Sequence, residues 1–288
     1  MNHAFLIQCH TSPQLVGLLI DRLRAPNHFF FIHVDDKTKN YEDFLELKSE
    51  RVFFTSKRFK VNWGAEEQIS LTLELLKLAS QCEADFEYYH LISGQDLPIV
   101  SNKTFDDFFN TASKQESSFM ELDKKTNIND RFMLFHSNKS WNVRESTLGK
   151  FWEKRVVNWQ RKVSHYISLR PKLQLHPFKG NNWWSLNRKV VDYIMHYCKQ
   201  HPEYIRRFRF TSCCDEVFFH TIVFNSPLRS SIVLDDLRYV DWTASYEGES
   251  LPRVLKESDY SKIINSKKLF MRKIDLNLSS SLINKMYK

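Results

Sequence analysis

Glycine and proline are scarce in this chain, 6 and 8 among 288 residues, and cysteine occurs only 5 times, never as CxxC. So little Gly and Pro excludes a collagen-like or linker-rich chain. The odd cysteine count, at Cys9, Cys82, Cys198, Cys213 and Cys214, argues against a disulfide framework or a zinc knuckle, and reduced thiols are expected. No apolar run reaches the length of a membrane span, and 4-AFLIQCH-10 is too short and lacks the basic flank of a signal segment, so a cytoplasmic protein is expected. GxGxxG and Walker sequences are missing, which withdraws support from dinucleotide binding and P-loop hydrolysis. A DxD is missing too. Asp35-Asp36 is its nearest approach, and adjacent acids at a strand end read as a solvated turn before they read as a magnesium site.

What is present is apolar and basic. Hydrophobic residues at 42% are enough for a substantial core in one large unit, and the +8 formal charge implies an anionic partner. Nucleotide phosphates, an anionic membrane surface and nucleic acid all satisfy that charge. Strands are expected at 4–9, 28–35, 51–54, 86–93 and 118–122, with helices after Ser12, around 41–48 and over 65–82. Ser12 before Pro13 has the form of an N-cap. This alternation predicts a doubly wound α/β sheet with ligands beyond the carboxyl ends of its strands, at Gln8 and His10, Asp35 and Asp36, and Ser93 to Asp96. Further on, basic and aromatic helices are expected, including 149–167, then a strand at 182–187 and a helix at 188–199. With neither repeat nor linker, the chain reads as one unit in two halves, 1–125 and 126–288.

The segment 211-TSCCDEVFFHTIVFNS-226 crowds two thiols, two carboxylates and an imidazole together. Adjacent residues rarely aim at one ion, and only Glu216 and His220 share a helical face, so a metal site is poorly supported. A vicinal Cys213-Cys214 pair is equally unlike the usual redox dithiol. Two readings stay open on spacing alone. In one, Ser212 caps a helix whose first turn carries Asp215 and Glu216 for the dipole. In the other, one of these carboxylates takes a proton from a hydroxyl. Near the C-terminus, 267-KKLFMRKID-275 anchors Arg272 and Lys273 among apolar residues, where fixed cations suit a diphosphate, and Arg253 is a second candidate.

Taken in order, 5-FLIQCHTSPQLVGLL-19, 32-IHVDDKTK-39, 61-VNWGAEEQISLTLELL-76, 89-YHLISGQDLPI-99, 180-GNNWWSLNR-188, 215-DEVFFHTIVFNS-226, 237-LRYVDW-242 and 269-LFMRKID-275 resemble the core-2/I-branching β-1,6-N-acetylglucosaminyltransferases and their peptide O-xylosyltransferase relatives. The resemblance implies a GT-A type α/β fold, with a Rossmann-like nucleotide-binding half on a mixed central sheet and an acceptor-binding half. It implies inverting transfer from a UDP-sugar, most plausibly UDP-N-acetylglucosamine with UDP-xylose second, and no divalent metal or other cofactor. Glu216 falls in the base position. Gln8, His10 and Asp35 fall around the uridine, and Arg253 and Lys273, with Arg272 beside it, fall at the diphosphate. Glu121, Arg131 and Trp242 fall at the acceptor sugar, where Trp183 and Trp184 would stack on a pyranose unless they are core residues. One departure is 63-WGAEE-67, where Glu67 replaces a small polar residue of the family's WGGxS. The anchor, stem and disulfides of the animal enzymes are not seen. A compact bacterial enzyme is therefore expected, acting on a glycan or glycolipid of the cell surface, with peripheral contact to an anionic membrane and no nucleic acid. The rival is a non-catalytic glycan- or nucleic-acid-binding protein, which would bind polynucleotide in a salt-dependent way and show no saturable affinity for UDP.

Overall fold

The computed structural model describes residues 1–126, 128–137, 147–244, 246 and 249–288. Ten strands occur among them: β1 His3–Cys9, β2 His28–Val34, β3 Val52–Phe54, β4 Tyr88–Ser93, β5 Asp96–Pro98, β6 Ser118–Met120, β7 Trp184–Asn187, β8 Ile232–Val233, β9 Arg238–Val240 and β10 Phe270–Arg272. The helices are α1 Pro13–Leu23, α2 Tyr41–Leu45, α3 Glu67–Ser80, α4 Asn102–Lys114, α5 Asn129–Met133, α6 Thr147–Ser164, α7 Arg188–Gln200, α8 Pro202–Arg207, α9 Asp215–Phe224, α10 Tyr260–Asn265 and α11 Ser280–Met286.

Seven strands form the main sheet in the order β3-β2-β1-β4-β7-β6-β8. β1 to β4 run parallel, as the alternating βα pattern of the first half dictates. β7 then runs antiparallel to both β4 and β6, so the sheet is mixed and of the GT-A type expected, not doubly wound throughout. Along β1 the side chains alternate between two cores. Ala4 and Leu6 join α3, α7 and α9 on one face, while Phe5, Ile7 and Cys9 join α1 and α4 on the other. Each fully buried Leu or Phe on these faces contributes about 1.5–3 kcal/mol. The Ser12 hydroxyl accepts from the Leu15 amide at 3.2 Å, the predicted N-cap.

A second sheet, β5-β10-β9, was not expected. β5 follows β4 after a two-residue turn and pairs antiparallel with β10, which sets Arg272 opposite Asp96. The Ile274 amide donates to the Gln95 carbonyl at 2.9 Å just beyond. These bonds bring the C-terminal cationic segment to the carboxyl end of β4.

Candidate active site

α9 explains why an acidic pair can sit on an apolar helix. Every residue from Asp215 to Phe224 is buried except Glu216, whose side chain keeps 29% of its surface. A helix apolar on all sides belongs inside a protein, and this one opens to solvent only at its first turn. Glu216 Oε2 accepts from Arg131 Nη1 at 2.7 Å and lies 3.4 Å from Lys179 Nζ. Lys179 also donates to Asp123 at 3.1 Å. Asp215 faces inward, and burial first, then the Glu216 charge, pushes its carboxyl up to about 7. Gln68, with its amide nitrogen turned toward Asp215, donates to both carboxylate oxygens.

The two thiols settle the chemistry of the segment. Cys213 is pushed up to about 12 and Cys214 further, in both cases chiefly by burial, so neither is a thiolate at neutral pH. Ser212 is not the cap: the helix begins at Asp215, with Cys214 in the N-cap position and no side-chain cap bond. Instead the Cys213 amide donates to the Gly64 carbonyl at 2.8 Å, tying the 63-WGAEE-67 loop to the start of α9. Glu67 becomes the first residue of α3.

Two connections hold Glu216 to the strand ends. α3 carries the first, where Gln8 donates to Thr72 at 2.8 Å one turn away from Gln68, the partner of Asp215. The second is the segment from Lys179, beside Glu216, to Trp183, whose ring lies 4.6 Å from the Arg272 guanidinium carbon. Four residues span no more than about 14 Å of backbone, so one short segment carries both a partner of Glu216 and the ring under Arg272. Gly180 is needed between them. A Cβ there would stand 2.0 Å from the Glu121 carbonyl and 2.4 Å from His220 Nε2. His220 is buried, which lowers it to about 3, so it is neutral.

On the donor side His10 is exposed at the end of β1. Partial loss of hydration lowers its pKa, Asp35 opposes that, and Lys273, Arg272 and Lys37 lower it again. Asp35 Oδ1 accepts from the Lys37 amide at 2.8 Å and Oδ2 from the Val61 amide at 3.3 Å, so its carboxylate shapes the loop it faces. Arg272 is held by buried Asp96 at 2.8 Å.

One expected site residue falls elsewhere, and another is already paired. Trp184 is fully buried in β7, on the core face, and cannot stack on a sugar. Trp183, just before β7, is partly buried against the same core and lies under Arg272. Arg253 is not a bare cation, because Asp241 and Asp259 both pair with it, at 2.6 and 2.5 Å, and leave the group with a net negative charge. These hydrogen bonds, Asp259 foremost, also raise its pKa.

On the acceptor side Glu121 and Asp236 share the Asn181 amide, and burial first and Asp236 next raise the Glu121 pKa. Trp242 is 57% exposed. Arg131 lies on Glu216 rather than apart from it. Lys179, Gln68 and Asn181 were not singled out in the chain, although Asn181 lies within the quoted 180-GNNWW-184 and Lys179 next to it.

Residues 3–264 match the family described as Core-2/I-Branching enzyme. Rat xylosyltransferase 1 is 24% identical over 250 residues, 83% of this chain and 28% of its own length. The Drosophila melanogaster xylosyltransferase oxt is 25% identical over 238 residues, 79% and 24% respectively. The chain thus spans about a quarter of the length of the curated relatives it matches. Among solved structures, apo mouse xyloside xylosyltransferase 1 aligns over 96% of this chain and 98% of its own, at 9% identity and a TM-score of 0.38. No described helix is long and apolar enough to cross a membrane.

Proposed function

The chain belongs to the core-2/I-branching enzyme family, and on that premise we propose that it is an inverting glycosyltransferase that moves a sugar from a UDP-sugar to a hydroxyl of a glycan or glycolipid without a divalent metal. The observation that supports this is Glu216, the one open position of a buried helix, with Arg131 and Lys179 on one of its oxygens. Inversion needs one carboxylate to take the acceptor proton while the hydroxyl attacks the anomeric carbon opposite the departing UDP. Arg131 and Lys179 both engage Glu216 Oε2, which orients the carboxylate and leaves its second oxygen to receive that proton. Lys273 and Arg272 would neutralise charge building on the diphosphate, in the place a metal ion takes in other enzymes. Arg253, already paired with two acids, is left to support the loop.

UDP-N-acetylglucosamine is the proposed donor and the acceptor belongs to a bacterial surface glycan. UDP-xylose is the second reading, favoured by the names of the xylosyltransferase relatives. Donor hydrolysis measured with both UDP-sugars in the presence of EDTA separates these readings. Turnover of one donor, undiminished by chelation, is the expected result. Turnover that disappears with EDTA and returns with magnesium overturns the role given to the cations.

A further inference from the structure

Helix α6 is attached to the protein by one side only. Gly149, Val157 and Gln160 are its buried positions, and the Gln160 amide clamps the Phe135 backbone with two bonds of 2.8 Å. Glu153, the one acid between residues 147 and 167, is taken up by His136 at 2.9 Å and by Ser137. Leu148, Trp152, Val156 and Trp159 fall on an adjoining stripe at helical spacing and are 71, 62, 46 and 63% exposed. Tyr166 and Ile167 continue it beyond the helix end, at 90 and 58%. By helical spacing Arg155 and Lys162 border one edge of the stripe and Lys150, Lys154 and Arg161 lie further round the same side, with no free acid among them.

Such a helix, basic along one side and aromatic on its open face, suits the boundary of an anionic bilayer, where apolar side chains enter the headgroup region and cations meet lipid phosphates. A second copy is a poor occupant, since two equally basic faces would repel. Polynucleotide would satisfy the charge but not the aliphatic Leu148 and Val156. The stripe also leads to the site. With Phe135 and Phe210, Leu148, Trp152 and Val156 wall a groove of about 580 Å³, the His136 amide donates to the Phe210 carbonyl at 2.9 Å, and the two loop segments so joined continue in sequence to Arg131 and Glu216.

We propose that α6 docks on an anionic membrane surface and that the acceptor reaches Glu216 from that surface as a lipid-linked glycan. The acceptor half of this statement rests on the glycosyl-transfer reading; the docking half does not. The test uses the full chain with vesicles of phosphatidylcholine alone and of phosphatidylcholine mixed with phosphatidylglycerol, read by co-sedimentation and tryptophan emission. Binding is expected only to the anionic vesicles, weakened by salt and accompanied by a blue shift. Trp152→Ser with Trp159→Ser should weaken it by about tenfold or more while donor hydrolysis stays unchanged. Lys154→Glu with Lys162→Glu, which leaves the stripe intact, should abolish the preference for anionic lipid. Vesicle binding that ignores both pairs, no vesicle binding at all, tighter binding to polynucleotide than to vesicles, or self-association lost with the tryptophans each overturns the proposal. Docking without turnover of any UDP-sugar would sink the transfer reading and leave the surface assignment standing.

Discussion

His3 opens β1 and His10 follows its last residue, and the two rings sit in opposite surroundings. His3 is wholly buried, where lost hydration first and then His28 lower it to about 2, and its Nδ1 meets His90 Nε2 at 3.0 Å. His90 passes the chain on to Ser185 at 3.0 Å, and Ser185 accepts from buried Arg238 at 3.2 Å. His28, at the start of β2, completes this end with Asp106 at 2.8 Å and the Leu23 carbonyl at 2.6 Å. Among the described residues, His3, His28 and Asp106 are also the one group of three spaced to hold a metal ion. At the other end of the same strands His10 is exposed, Asp35 organises the loop after β2 and Arg272 is paired with Asp96. One end is closed within the core and serves the fold; the other reaches the surface at His10. Residue type does not separate the two, but partners and exposure do.

The sharpest way to break this contrast is at Glu216. Glu216→Gln removes the proton acceptor while keeping shape and the Arg131 contact, so turnover should fall by roughly two to four orders of magnitude with UDP affinity retained. Near-normal single-turnover rates would move the base elsewhere. Lys273→Ala comes next. Loss of one charge-assisted contact, about 1.5–3 kcal/mol, should weaken UDP binding by roughly 10- to 100-fold in calorimetry, and unchanged affinity would place the diphosphate away from β10. At the closed end His90→Ala should do the reverse. It opens a cavity and strands His3 and Ser185, so urea unfolding should show a loss of about 2–4 kcal/mol while turnover per folded molecule is preserved.

Much of this division was legible in the chain. β1, β2 and β4 announced themselves as apolar runs with polar residues at their ends, because a strand covered on both faces must be apolar through its length. Pro13 after Ser12 gave the start of α1. The second sheet was not legible: its strands have three residues each, and the partner of Asp96 lies 176 positions away at Arg272. The pairing of Arg253 depends likewise on where Asp241 and Asp259 come to rest, which no local pattern encodes. Trp183 and Trp184 look alike in the chain, and only the start of β7 separates them: Trp184 enters the strand and is fully buried, while Trp183 stops short of it under Arg272.

The smallest expected effect tests how far the open end is tuned against stability. Asp215 titrates higher in the folded protein than in the unfolded chain because it is buried beside Glu216. The folded state therefore binds the extra proton, and its advantage is complete below the ordinary aspartate range near pH 4 and lost as pH rises through about 7. His3 and His90, lowered mainly by burial, act with the opposite sign: their contribution is present above about pH 6.5 and fades on acidification. Asp215→Asn should remove a slope on the order of 1–2 kcal/mol between about pH 4 and 7, the shift being discounted for the Gln68 bonds that favour the ionised form. Urea midpoints across that range measure it. In Glu216→Gln the same transition should persist but move to lower pH, because the neighbouring charge is gone. A slope untouched by either substitution would mean that Asp215 is not the titrating group, and that the pair at the start of α9 does not work as one electrostatic unit.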